Sequence, residues 1–387
     1  MGGHHPFTDG RDARCVKIAI ITESFVPQVN GVTNTVVRIV QRLIETGHQP
    51  LVIAPGPGPS SYGGCRVVRV RSVAMPGYRT FRVGLPDPEV ERALAQFRPD
   101  VVHLASPIAL GAVGLAAARR QGLRTVAVFP TDIAGFARQY GVAVGGLVDR
   151  WVGRLHRRCD RTLVPSTASF TQLDARGVGD LHYWRRGVDS ELFRPGRRDE
   201  QLRRDWSPDP SHPIVGYVGR LAHEKEIHRL REVADLPGIS LVIVGDGPSR
   251  SSLERELPGA TFTGMLHGPQ LAAAYASLDV FVHTGTAETF CQTVQEAQAS
   301  GVAVVAPAAG GPLDLVDHDH TGLLFDPAAP HALRDAVASL TGDQIRRRRL
   351  SSAAATAVAG RSWARVVDQL TDEHYPAVIG GPAAAAA

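Results

Sequence analysis

A chain of 387 residues and 41.3 kDa is too long for one hydrophobic core and predicts two domains. With 43% hydrophobic and 21% charged residues it has the composition of a water-soluble globular enzyme, and no apolar run reaches the roughly 18–20 residues of a membrane-spanning helix. The net charge of +4 is uneven: residues 1–190 hold 24 Lys and Arg against 14 Asp and Glu, the remainder 18 against 24, so the N-terminal half suits an anionic ligand or a membrane surface.

Residues 1–14 read as a polar leader without a signal-peptide pattern, and the alanine-rich tail reads as frayed. From there short apolar runs alternate with helical patterns. "VKIAIIT", "PLVIAP", "DVVHLAS", "RTVAVF" and "RTLVPS" are predicted to be buried parallel strands. The segments between them, such as "TNTVVRIVQRLIETG" and "PDPEVERALAQF", have helical periodicity and stop at glycines such as Gly47 and Gly122. This alternation predicts right-handed βαβ units and an α/β, doubly wound sheet. A polar, proline-rich stretch with a hinge near residues 190–212 reads as an exposed linker. The pattern then restarts with "HPIVGYVGR", "SLVIVGDG", "ATFTGM", "VFVHTG" and "VAVVAPA". Two Rossmann-like domains facing a cleft follow, with ligands expected at the carboxyl ends of the strands.

Several residues carry chemistry. Where a dinucleotide enzyme would place GxGxxG, the first strand is followed by "ESFVPQVNGVTN", whose glycine turn into a helix still suits a phosphate. Of 42 basic residues only Lys17 and Lys225 are lysines, so each is expected to need a compact ammonium. In "VGRLAHEKEIHRL" Arg220 and Lys225 stand at a predicted helix start, where the dipole prefers acids; a diphosphate would resolve the conflict, whereas pairing with Glu224 or Glu226 would make them plain surface charges. In "HTGTAETFCQTVQEAQASG" a helix beginning near Thr289 would place Glu288 at its start and Glu296 two turns inside. Eight residues of helix span roughly 12 Å, close to the length of a sugar nucleotide. A helix cap and a surface charge are the plainer readings of those carboxylates. The four cysteines, Cys15, Cys65, Cys159 and Cys291, lack metal spacing and read as free thiols.

The Glu288–Glu296 spacing, the Arg220/Lys225 pair, "VGDGP", "FTGML", "WRRGVD" and the "NGV" after the first strand together resemble the retaining glycosyltransferases of the GT-B fold, family four, over residues 16–376. The run "FCQTVQEAQASGVAVVAPAAGGPLDLV" is most similar to the bacterial branch of GDP-mannose-dependent α-mannosyltransferases and related glycolipid-forming enzymes. The resemblance implies an acceptor-binding domain over 15–192, a nucleotide-sugar domain over 193–363, and a helix over 364–380 crossing back to the first domain. It implies that Gly31 lets backbone approach the donor diphosphate, which Arg220 and Lys225 neutralise as it leaves. Glu288 would hold the donor sugar, the backbone N–H groups of Thr289, Phe290 and Cys291 would face sugar or phosphate, and Glu296 would hold the ribose. His103, Thr131 and Asp132 are the acceptor-side candidates, with Asp132 also a catalytic candidate.

The implied reaction moves a hexose, mannose first, from a nucleotide-diphosphate donor to a hydroxyl of a lipid or small molecule, with retention and with neither metal nor cofactor. The chain departs from the family pattern at Pro130, where many members carry a histidine. Rival readings are a UDP-sugar transferase acting on a soluble aminocyclitol or natural product, a catalytically silent sugar-nucleotide binder, and a GT-B phosphorylase or epimerase. The expected setting is the cytoplasm, with peripheral contact at the inner membrane face through the basic domain, and no nucleic-acid partner.

Overall fold

The computed structural model describes residues 15–28, 30–75, 78–129 and 145–380. Among them ten strands precede residue 190: β1 (Lys17–Ile21), β2 (Gln49–Pro55), β3 (Ser61–Tyr62), β4 (Cys65–Val70), β5 (Ser72–Met75), β6 (Tyr78–Gly84), β7 (Val101–Leu104), β8 (Arg124–Val128), β9 (Arg161–Val164) and β10 (Leu181–Tyr183). Eight build one sheet in the order β10-β9-β8-β7-β1-β2-β4-β3, parallel throughout except for β3, while β5 and β6 form a separate hairpin. Central strands such as "KIAII" are apolar at nearly every position because helices cover both faces of the sheet.

Local chemistry sets the helix boundaries. The helix Gly31–Glu45 starts at Asn30, whose side chain accepts from the Thr33 backbone N–H at 2.9 Å, and buries Val36, Ile39, Val40 and Leu43 on one face. The helix Leu110–Arg120 has no cap from its own N-cap residue. Its opening N–H groups are satisfied instead from the loop after β1: both Glu23 carboxylate oxygens accept from Ile108, Ala109, Leu110 and Gly111 at 2.8–3.1 Å. The loops after β1 and β7 are thereby pinned together at the point where the strand order reverses.

The second sheet runs β13-β12-β11-β14-β15-β16, all parallel, from β11 (Ile214–Val218), β12 (Ser240–Val244), β13 (Thr261–Gly264), β14 (Val280–Val282), β15 (Ala303–Pro307) and β16 (Leu323–Phe325). Its order reverses between β11 and β14. The segment read as an exposed linker departs from that expectation. It contains the helix Glu200–Trp206, and Phe193 and Trp206 sit in the second lobe's core, with Arg203 2.9 Å from Asp279. Its many charges lie on the outer side of a packed strap.

The chain ends by crossing back. Trp363–Gln369 and Tyr375–Ile379 lie on the first lobe, where Val366, Val367, Leu370, Tyr375 and Val378 join its core. Arg42 grips Asp368 through two bonds of 2.7 and 2.9 Å, and the Trp184 indole N–H donates to the Val366 carbonyl at 2.8 Å. No helix among the described residues is long and apolar enough to cross a membrane.

Candidate active site

The reversal of strand order between β11 and β14 opens a crevice at their carboxyl ends, the usual ligand position in such sheets. The loop after β11 carries Arg220 and Lys225, and the loop after β14 carries His283 and Glu288. The "VGDGP" glycines serve this crevice: a side chain on Gly245 would begin 1.9 Å from the Gly219 carbonyl, so only glycine lets the loops after β11 and β12 lie back to back.

Lys225 Nζ lies 2.6 Å from Glu288 Oε1, and the Lys225 carbonyl accepts from Thr284 Oγ1 at 2.7 Å. Glu226 reinforces this tie by accepting from the Thr286 backbone N–H at 3.1 Å. Arg220 pairs with Glu224 one turn along, and its side chain remains 42% exposed. Both sequence-predicted cations therefore stand beside carboxylates of the chain itself, Lys225 inside the crevice and Arg220 at its rim. Lys17, by contrast, sits with its ammonium 4.9 Å from the Phe97 ring centre, far from this chemistry.

Glu288 is the electrostatic centre. Burial works to raise its pKa, but Lys225 and His283 outweigh it and hold the carboxyl well below the usual range. For His283, burial favours the neutral ring, yet Cys291 and Glu288 raise its pKa above the ordinary value; Nε2 is 3.4 Å from Glu288 Oε1. For Lys225, burial is likewise outweighed by Glu288, and its pKa rises. His283, Glu288 and Cys291 bring metal-ligand atoms within 4.8 Å of one another. The Lys225 ammonium already occupies one side of Glu288, so a divalent cation would meet like charge there.

The opening of the following helix differs from expectation. It starts at Gln292, not Thr289, with Cys291 as a left-handed N-cap at φ 73°. Glu288, Thr289 and Phe290 form a turn backed by the Gly310–Gly311 segment, where the Gly311 N–H donates to the Glu288 carbonyl at 2.7 Å. Glu296 is thus one turn inside the helix, and the continuous helical ruler from Glu288 to Glu296 is absent. Burial pushes the Glu296 carboxyl up to about 7 against the opposing pull of hydrogen bonds, among them the one from Tyr275 Oη at 3.0 Å.

On the first lobe, Gly31 opens the helix Gly31–Glu45 and faces the Arg186 guanidinium. His103 is fully buried rather than presented to the crevice; Tyr375 Oη lies 3.0 Å from its Nδ1, and burial first, then His374, lowers its pKa to about 3. Thr131 and Asp132, with Pro130, lie outside the described residues. Sequence reasoning missed His283 and Arg186. The signal for His283 was its place at the end of a predicted strand, and Arg186 stood unassigned in "WRRGVD".

Two facing doubly wound sheets with a cation–carboxylate crevice in the second define the GT-B class of sugar-transferring enzymes. Solved structures share the architecture: Anabaena HepE in complex with UDP superposes with a TM-score of 0.78 at 20% identity, covering 93% of this chain and 100% of that one. Sucrose-phosphate synthase from Thermosynechococcus elongatus gives 0.76 at 21% identity, covering 95% and 100%. The chain belongs to glycosyltransferase family 4: the "Glycosyltransferase Family 4" model matches residues 29–192 and the "Glycosyl transferases group 1" model residues 198–357. It is 51% identical to a GDP-mannose-dependent alpha-mannosyltransferase of Mycobacterium tuberculosis over 94% of this chain and 97% of that protein. It is also 34% identical to the sulfoquinovosyl transferase SQD2 of Arabidopsis thaliana, over 94% of this chain and 74% of that one. The chain is a glycosyltransferase.

Proposed function

We propose that this enzyme transfers mannose from GDP-mannose to a hydroxyl acceptor with retention of anomeric configuration. The observation that carries the reading is the Lys225–Glu288 pair at the switch point of the second sheet, 2.6 Å apart, in a chain 51% identical to a GDP-mannose-dependent relative. Glu288 accepts from donor-sugar hydroxyls, Glu296 from the ribose, and Arg220 and Lys225 face the diphosphate between them. The turn at Thr289, Phe290 and Cys291 offers backbone N–H groups at a helix start that has no acid in its first turn. Gly31 leaves the first-lobe backbone accessible to the phosphates.

The bond that breaks joins the anomeric carbon to the β-phosphate oxygen, which keeps the electron pair. The new bond joins that carbon to the acceptor oxygen, entering on the same face, and the acceptor proton passes to the leaving phosphate. Negative charge grows on the diphosphate while positive charge grows on the sugar. Cations fixed before the reaction stabilise that separation more than they stabilise the ground state, the task a divalent metal performs elsewhere. Asp132 and Thr131 are proposed to meet the acceptor or sugar.

A lipid hydroxyl is the proposed acceptor class, with the enzyme working at the cytoplasmic membrane face. Its support is the basic N-terminal half and a 24% identical relative named alpha-monoglucosyldiacylglycerol synthase. The test is a thermal-shift panel of GDP- and UDP-sugars followed by transfer to lipid and soluble acceptors, since a bound donor raises stability by mass action. Stabilisation by GDP-mannose and transfer with α product support the reading. Stabilisation by UDP-sugars alone, or binding without transfer, defeats it.

A further inference from the structure

We propose that Arg186 is a third cation for the donor phosphates, delivered from the seam between the lobes and facing Arg220 and Lys225. The inference rests on the donor reading above and adds a binding residue to it.

Arg186 belongs to the segment that joins the lobes, and its backbone is clamped to the helix bearing Glu296. Gln295 Nε2 donates to the Arg186 carbonyl at 3.1 Å, and Gln292 Nε2 donates to the Gly187 carbonyl at 3.0 Å. A side chain on Gly187 would start 2.6 Å from the Trp363 backbone, so the segment is also pressed against the start of the crossing helix. Its guanidinium is therefore tied to the crevice by its own main chain.

The side chain points the other way, to the first lobe. Its Nη1 lies 3.2 Å from where a Cβ on Gly31 would stand, at the first residue of a 15-residue helix. That helix has no acidic residue in its first turn, and its N-terminus carries partial positive charge. The guanidinium and the helix N-terminus face the same place, and an anion bound there would meet both. Glu288 is close enough to act on Arg186 and favours its charged form against burial.

Arg186 also reaches the first lobe's interior. Arg186 and His103 line one small cavity, whose other walls include Thr35, Val36, Pro165 and Trp184. With Nδ1 of His103 engaged by Tyr375, its Nε2 is buried with no hydrogen-bond partner among the described residues. The cavity has room for about one water, and it shows that the Arg186 guanidinium reaches the interior of the first lobe. The donor diphosphate, held from the other side by Lys225 and Arg220, is the anion in reach of both lobes. Gly31 then has a second use, leaving room for the guanidinium as well as for the ligand.

The test measures nucleotide and nucleoside binding side by side. GDP and guanosine, with UDP and uridine as a parallel pair, are titrated calorimetrically into wild type, Arg186→Met and Arg186→Lys. The inference expects Arg186→Met to weaken diphosphate binding about tenfold or more, the value of a charged hydrogen bond, while nucleoside affinity stays unchanged. Arg186→Lys restores part of the loss, and kcat falls further than donor binding because charge grows on the phosphate during transfer. Equal loss for nucleotide and nucleoside would make Arg186 a structural link only and overturn the inference. So would unchanged GDP and UDP affinity in Arg186→Met. If Arg186→Met lacks a cooperative melting transition, Arg186→Lys and Gly31→Ala carry the comparison, and diphosphate affinity unchanged in both again defeats it. Wild type that binds UDP but not GDP fails the donor reading alone, whereas wild type that binds neither fails both.

Discussion

The ammonium of Lys225 lies 2.6 Å from Glu288 Oε1 and joins the loop after β11 to the loop after β14 across 63 residues of sequence. Each charge keeps the other ionised inside a crevice that would otherwise favour the neutral forms. Lys225→Ala removes the cation proposed to face the phosphate and leaves Glu288 buried beside His283. The expected outcome in steady-state assays is a fall of about 10²–10³ in kcat, the cost of losing one fixed stabiliser of developing charge. A Lys225→Ala enzyme with wild-type kcat would remove Lys225 from the phosphate site.

Gly310 supports that loop from behind. Its φ of +60° is left-handed, and a Cβ would stand 2.6 Å from the Glu288 carbonyl oxygen and 3.0 Å from that of Thr286. Gly310→Ala must therefore push the Glu288 turn into the crevice. Donor affinity is expected to fall at least about tenfold, or 1.4 kcal/mol, while the fold persists. Gly342→Ala is the control, because nothing lies within 4 Å of its added methyl and it should leave calorimetric affinity unchanged.

How far the sequence could be read follows the range of the interactions involved. Strands such as "KIAII" and "IVGYV" were legible because burial on both faces writes itself as an apolar run. β4, "CRVVRV", was not, since two arginines interrupt the run at a place where the sheet needs only partial burial. The strap around Phe193 and Trp206 was misread because its outward charges outnumber its two buried aromatics. The helix start moved from Thr289 to Gln292 for a non-local reason: the turn before it leans on Gly310 and Gly311, about twenty residues later. Arg220, Lys225 and Glu288 could be picked out by type and spacing. Arg186 could not, because only the docking of one lobe on the other brings it near Glu288; His283 lies five residues before Glu288 in the same loop, but only burial beside that carboxylate gives it weight.

Glu23 should matter for stability rather than for binding. Its buried carboxylate accepts from the N–H groups of Ile108, Ala109, Leu110 and Gly111, the last two of which open the Leu110–Arg120 helix. Burial raises its pKa and the four N–H groups act against that rise. Glu23→Ala would leave those donors unpaired, two of them buried, at a cost of about 3 kcal/mol or more in urea unfolding. Glu23→Gln, which keeps an acceptor oxygen, is expected to cost less. Equal stability of wild type and Glu23→Ala would mean that water or the chain replaces the cap.

If Glu296 holds the ribose as proposed, nucleotide binding is expected to depend on pH in one direction. In the free enzyme its carboxyl titrates near neutrality, pushed up to about 7 chiefly by burial. A carboxylate that accepts two ribose hydroxyls binds as the anion, so ligand binding lowers its pKa and releases a proton. Affinity is then fully expressed above about pH 7 and declines as pH falls through that value, approaching tenfold per pH unit until the bound-state pKa is reached. Calorimetry from about pH 5.5 to 8.5 in buffers of different ionisation enthalpy reads both the affinity and the proton released. Glu296→Gln should bind more weakly at high pH and lose this dependence, converging with wild type at low pH. A wild-type affinity flat across the range, with no proton released, would place the ribose contact on another residue.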